Sequence, residues 1–249
     1  DGQVLTSAGA GAAAAWEDIS AASGTVTGKV EGTNFTGSLL VGHTTTGTLS
    51  TASNNTGVGL LAMDAITSGD NNTAIGKSSM SALTTGLQNV SVGAYSLADL
   101  SSGGNYNVAV GGYAVADVTS GDNNTGIGDN ALRLVTGTGN IGLGYQAGNN
   151  ITSGSGNVVI GNADVSSATG DDQLSISDGE DGSVVWMTGD SSANVTITGD
   201  LTITGDDLFM NTNTSGAALI GDGTNYNPVV ISGDISIATN GAASIAANS

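Results

Sequence analysis

A tandem repeat of about 17 residues occupies the middle of this 249-residue chain. Each copy begins with an anchor residue, Ser in the first copy and Asn in the others, and has Gly four residues later. Residues 72–76 and 89–93 are two such stretches. Successive anchors are separated by 17, 17, 17, 18, 17, 16 and 17 residues. This regularity predicts stacked copies of one structural unit rather than a globular core.

Eight copies, called coils below, share this pattern. Positions within a coil are counted from the anchor, so that the glycine, called the bend glycine, is at +4. The anchors are Ser38, Asn55, Asn72, Asn89, Asn107, Asn124, Asn140 and Asn157, and the bend glycines are Gly42, Gly59, Gly76, Gly93, Gly111, Gly128, Gly144 and Gly161.

Side-chain types alternate along the first five residues of each coil. Positions +1 and +3 carry Thr, Val, Ile or Leu, whereas the anchor, +2 and +4 are mostly Asn, a small residue and Gly. A period of two predicts a short strand with one buried face. We expect +1 and +3 side chains, such as Val108, Val110, Thr125 and Ile127, to point into the coil. Parallel stacking of the strands would also place the asparagines in a ladder.

The bend glycine predicts a positive φ or a close backbone approach. The second half of most coils has apolar residues at +8 and +11, which favours a second short strand with a bend and leaves a helical turn as the alternative. The predicted fold class is therefore all-β, a parallel β-roll or β-solenoid of about eight coils. The expected organisation is an N-terminal fibre or linker segment (1–37), a β-roll repeat domain (38–176) and a C-terminal fibrous β segment (177–249).

Charge and composition exclude several functions. Three basic residues stand against 22 acidic ones, giving a formal net charge of −19. Nucleic-acid binding depends on Lys and Arg, so a nucleic-acid partner is excluded. There is no run of 18 apolar residues, and membrane insertion is not expected. The absence of Cys excludes thiol catalysis and disulfides.

The +2 positions of six consecutive coils are small and uncharged. Small residues allow close backbone approach, so we expect this face to be the contact surface of a homotrimer. The short strands in the flanking segments would then find their partners in the other copies. The predicted interface residues are Gly57, Ala74, Ser91, Ala109, Gly126 and Gly142.

Candidate catalytic and ligand-binding residues do not form a convincing set. The only histidine, His43, follows a bend glycine and is expected to be a solvated turn residue. Residues 142–147 fit a dinucleotide-binding fingerprint, but no helix-length pattern follows them. Asp64, Asp99 and Asp117 are expected on a solvated outer surface, with a two-carboxylate glycosidase site as the alternative. No enzyme activity, cofactor or metal is predicted, although residues 178–182 leave a structural Ca²⁺ site open.

The repeated Asn-to-Gly stretch resembles the head repeats of trimeric autotransporter adhesins and related repeats in bacteriophage tail fibres. The resemblance covers about residues 38–170, although the coils are longer than the adhesin repeat. Segments within residues 2–19, 221–228 and 232–242 resemble phage fibre and virion proteins, which favours the phage family.

The resemblance implies three chains packed as left-handed β-rolls in a tail fibre that supports attachment to a host surface. Expected partners are other virion tail proteins and a host cell-surface glycan or protein, with the chain on the virion outside the cell. The alternatives are a trimeric adhesin head on a bacterial cell surface and a glycan-degrading tailspike.

Overall fold

The structure, a computed structural model, describes residues 3–6, 15–18, 28–202, 217–221, 226–230, 235–237 and 243–245. Outside residues 28–202 it gives the pairing of strand backbones. The described residues contain β-strands and turns and no helix. The chain divides into two compact units, residues 1–200 and 201–249.

One sheet runs through the first unit. Its strands are β3 (Gly28–Gly32), β4 (Phe35–Val41), β5 (Ala52–Ser53), β6 (Thr56–Val58), β7 (Thr73–Ile75), β8 (Val90–Val92), β9 (Val108–Val110), β10 (Thr125–Ile127), β11 (Ile141–Leu143), β12 (Val158–Ile160), β13 (Leu174–Ser177), β14 (Val185–Gly189) and β15 (Val195–Ile197). The remaining strands are β1 (Gln3–Thr6) and β2 (Ala15–Asp18) in the first unit, and β16 (Ala217–Gly221), β17 (Tyr226–Val230), β18 (Ile235–Ile237) and β19 (Ala243–Ile245) in the second.

Strands one coil apart are parallel and in register. β9 pairs with β10 so that Val108 and Val110 lie opposite Thr125 and Ile127, and the same pairing continues from β4 to β13. Each coil thus adds one short strand to the same sheet, which confirms the predicted parallel β-solenoid. β3 at one end and β14 and β15 at the other pair antiparallel, so the sheet continues beyond residues 38–176 at both ends.

The prediction that the +1 and +3 side chains point into the coil is wrong. Ile75 and Ile127 are 42% and 39% exposed, whereas Ala74 and Ala109, at +2, are completely buried. In coils two to seven the interior already contains large side chains from the second half of the coil, so only small residues fit opposite them, whereas coils one and eight bury Leu40 and Val159 at +2. A Cβ on Gly126 would lie 2.6 Å from Cγ2 of Val115.

The second half of the coil is a pair of turns and not the short strand that we favoured. Between Gly59 and Ile66 the amide of Ala62 donates to the carbonyl of Gly59 at 3.3 Å, and the amide of Ile66 donates to Met63 at 3.2 Å. Positions +6 and +8 have left-handed backbone in most coils, as at Leu61 (φ 62°) and Met63 (φ 55°). Two left-handed residues so close together prevent an extended strand.

Apolar side chains from these turns form the core of the solenoid. They come mainly from +8 and +11 and lie in two columns along its length. Their buried members are Met63, Ile66, Met80, Leu83, Leu97, Leu100, Val115, Val118, Leu132, Val135 and Ile151. The core is therefore one side chain deep and as long as the stack of coils, as expected of a repeat protein.

The flanking strands find partners within the chain, contrary to our expectation. β1 pairs antiparallel with β2, β16 with β17, and β18 with β19. β15 likewise pairs with β14. Each of these strands therefore has at least one partner within its own chain. The sequences that resemble phage fibre proteins lie largely outside the described residues.

Candidate functional site

The anchor asparagines form a hydrogen-bonded ladder inside the solenoid. Asn72 Nδ2 donates to Asn55 Oδ1 at 3.1 Å and to the carbonyl of Gly86 at 2.8 Å. Asn72 Oδ1 in turn accepts from the backbone amide and Nδ2 of Asn89 at 2.9 and 3.0 Å. The seven completely buried members are Asn55, Asn72, Asn89, Asn107, Asn124, Asn140 and Asn157.

A ninth coil continues the ladder. The Gln173 amide donates to Asn157 Oδ1 at 2.9 Å, and Leu174 pairs with Val158 in register. This coil lacks the sequence pattern of the other eight because Gln replaces Asn at the anchor and Ser177 replaces the bend glycine.

The bend glycines stack on one another at the end of each strand. All eight have positive φ, and the seven after the first are Gly59, Gly76, Gly93, Gly111, Gly128, Gly144 and Gly161. A Cβ on Gly76 would lie 2.4 Å from the carbonyl oxygen of Gly93. Both the left-handed backbone and the close approach predicted from the repeat are therefore present at this position.

The predicted trimer-contact residues lie inside their own coil. Ala74, Ser91 and Ala109 are completely buried in the single chain, and the equivalent glycines are buried as well. Ser91 Oγ is hydrogen-bonded to Ser79 Oγ at 2.7 Å across the interior. A surface already covered by its own chain cannot contact another copy, so the assignment of Gly57, Ala74, Ser91, Ala109, Gly126 and Gly142 to an interface is wrong.

The +1 and +3 side chains instead form an exposed surface, called here the outer apolar face. It consists of uncharged residues throughout coils one to nine, namely Thr, Val, Ile and Leu. Nine of its large apolar side chains are 36–45% exposed: Leu39, Val58, Ile75, Val90, Val110, Ile127, Ile141, Leu143 and Ile160. Because soluble monomers rarely expose so long a continuous apolar surface, this face is a candidate contact surface.

A stack of rings and cations lies along another side of the coils. The Tyr95 and Tyr113 rings are parallel, with centroids 5.0 Å apart. Lys77 Nζ lies 5.3 Å from the centre of Tyr95, and the Arg133 guanidinium lies 5.3 Å from the centre of Tyr113. The hydrogen bond and charge of Tyr95 raise the pKa of Lys77. The sequence signal for this stack was the presence of Tyr at +6 in two successive coils.

His43 is buried, which corrects its assignment as a solvated turn residue. Its Nε2 donates to the carbonyl of Ala62 at 2.8 Å, and its Nδ1 lies 3.0 Å from Thr45 Oγ1. Asp64 is hydrogen-bonded to Thr45 and has Oδ1 3.9 Å from His43 Nδ1. These contacts fasten the loop after β4 to the next coil and leave neither ring nitrogen directed at solvent.

The acidic turn at residues 178–184 is organised by its own backbone. Asp178 Oδ2 accepts the amide of Val184 at 2.7 Å, and Oδ1 accepts the amides of Glu180, Asp181 and Gly182 at 3.0–3.1 Å. These bonds favour the ionised carboxylate and lower the pKa of Asp178. The side-chain and backbone hydrogen bonds from Ser183 lower the pKa of Asp181 as well.

Within the described ranges, no group of three or more His, Cys, Asp or Glu side chains is arranged to hold a metal ion. The same part of the chain contains no helix long and apolar enough to cross a membrane. Comparisons with protein-family profiles, curated protein sequences and solved structures return no match for this chain.

Proposed function

We propose that this chain is a segment of a homotrimeric fibre, of the kind found in bacteriophage tails, that supports attachment to a host surface. The observation that carries the proposal is the outer apolar face. It is a continuous strip of uncharged, mostly apolar residues across nine coils, longer than the apolar patches that ordinary monomers expose.

The regular spacing of this face favours further copies of the same chain as its partner. Equivalent residues recur in every coil, about 4.8 Å apart along the stack. A partner that contacts every coil equally well must have the same spacing. A second and a third copy in the same direction satisfy this condition and close a ring by three-fold symmetry.

The chemistry of the molecule supports a structural role rather than an enzymatic one. The strongest features of the sequence, namely the asparagine ladder, the bend glycines and the thin core, all serve the stacking of coils. The single histidine is held at both ring nitrogens by neighbouring residues. In this proposal the chain lies on the virion outside the cell and is bound to other tail proteins.

Light scattering coupled to size-exclusion chromatography tests the proposal. We expect a mass of three times the 24.0 kDa chain. Val110→Asp would place a carboxylate in the interface of every copy, where burial of unpaired charge is costly, and should give monomers. Leu134→Asp is the matched control, because Leu134 is similarly exposed (42%, against 36% for Val110) but lies in the second half of its coil. A wild-type monomer at all concentrations would refute the trimer, and a Val110→Asp trimer would refute this face as its interface.

A further inference from the structure

We propose that a groove across the second halves of coils six to eight binds an uncharged or amino-sugar-containing oligosaccharide. Two adjoining depressions form it, of about 160 and about 480 Å³. Gln146 and Asn149 line both depressions. Arg133 lies at one end, and Asp164 and Asp181 line the other. The inference goes beyond the fibre proposal and applies equally to a monomer and a trimer.

The two central amides have free hydrogen-bonding capacity. Gln146 and Asn149 are half-buried, and their side chains make no hydrogen bond to other residues in the described part of the chain. The anchor asparagines, by contrast, use their amide groups in the ladder. Each free amide offers two donors and a carbonyl acceptor to a ligand in the groove. A ligand that bonds to both must itself present donors and acceptors close together.

A carbohydrate matches the remaining groups that line the groove. Asn162 contributes the oxygen of a third amide, whose Nδ2 donates to the carbonyl of Glu180 at 3.2 Å. The carboxylates of Asp164 and Asp181 each accept one backbone amide through Oδ1 and can accept further hydrogen bonds from hydroxyl or ammonium groups. Apolar groups lie near the two ends, at Leu134, Ala163 and Val185. A peptide would need apolar anchor pockets near the centre, which is polar here. The groove crosses about three coils, or about 15 Å, which suits several sugar units.

Charge selects among carbohydrates. The two aspartates outnumber the single arginine, and the Arg133 guanidinium already lies over the Tyr113 ring. The net charge of −19 on the whole chain also repels anions. Uronic acids and sialylated or phosphorylated glycans are therefore disfavoured. Neutral sugars and protonated amino sugars are compatible with the groove.

Calorimetric titration of the full chain tests this inference. The probes are cellotriose, maltotriose, triacetylchitotriose and the chitosan trimer, with trigalacturonate as the anionic comparison. We expect at least one of the first four to bind and trigalacturonate not to bind. Gln146→Ala and Asn149→Ala should each weaken that binding at least about tenfold, through the loss of hydrogen bonds to the ligand.

Gln88→Ala is the matched control. Gln88 also has left-handed backbone (φ 55°, against 56° for Gln146), and it lies at a different position in its coil. It should bind the probe like the wild type. Asn149 is outside the left-handed region, so its variant remains informative if Gln146→Ala folds poorly. The inference is overturned if none of the first four probes binds, if trigalacturonate binds best, or if both groove variants bind normally. Light scattering on the same samples measures the number of chains and so tests the proposed trimer separately.

Discussion

Replacement of Asn72 by alanine removes four side-chain hydrogen bonds from the interior of the solenoid. The backbone amide of Asn89 loses its acceptor, and the carbonyl of Gly86 loses the Asn72 side-chain donor. Asn55 Oδ1 keeps a bond from the backbone amide of residue 72. An unsatisfied buried group costs about 1–3 kcal/mol, so two of them should lower the free energy of unfolding by about 2–6 kcal/mol.

The adjacent residue supplies the control for this substitution. Asn71 is exposed, has left-handed backbone (φ 59°), and makes no side-chain hydrogen bond within residues 28–202. Asn71→Ala should therefore cost about 1 kcal/mol, the penalty for alanine in that conformation.

Urea unfolding followed by circular dichroism measures both variants, and hydrogen exchange locates the effect. We expect the Asn89 amide to lose protection in Asn72→Ala and to keep it in Asn71→Ala. Equal destabilisation by the two substitutions, or unchanged protection at Asn89, would refute the assignment of the ladder as a main source of stability between coils.

Three further predictions follow from the bend glycines, the ring stack and the acidic turn. Gly93→Ala should lower the free energy of unfolding in urea by about 3–5 kcal/mol, because its φ is 144° and the new Cβ would lie 2.2 Å from a backbone oxygen. Gly179→Ala is the control and should be neutral, because a Cβ there would meet no atom within 4 Å. Tyr113→Ala should lower the free energy of unfolding by about 1–2 kcal/mol more than Tyr106→Ala, because Tyr106 lies outside the ring stack. Equal losses in the two variants would contradict a stabilising role for the stack. Asp178 has a lowered pKa when folded, so its stabilising effect is present above its unfolded pKa and is lost as the pH falls through the folded value. A carbon NMR titration should place its midpoint below that of an ordinary Asp, and an ordinary midpoint would contradict the turn geometry.

The small +2 residues have a different structural role from the one that the repeat suggested. Small residues at +2 first suggested contact between chains, yet they accommodate large side chains of the preceding coil, as Gly142 does for Leu132. The uncharged surface needed for assembly is present on the other side of the strand. The proposed trimer is thus supported by a different set of residues from those that the sequence indicated.

Alignment of the coils by position reveals one of the candidate sites, the ring stack, in the sequence alone. Tyr95 and Tyr113 occupy the same position in successive coils, and stacking at this spacing brings their rings together. No comparable pattern in the sequence indicates the groove. Gln146 and Asn149 are ordinary polar residues in the sequence, and their free amides are recognised only once the turn at residues 178–184 is in place beside them.

The sequence by itself determined the period, the parallel register and the bend of this solenoid. These features depend on local properties, because the spacing of the anchors sets the coil length and only glycine fits the left-handed, closely approached position at +4. The tertiary structure decided which side of each strand is inside. An alternating strand has two faces, and the choice depends on volume. In coils two to seven, side chains such as Leu97 and Leu100 already fill the thin interior, so the opposing strand contributes only small residues there and its larger ones face outward.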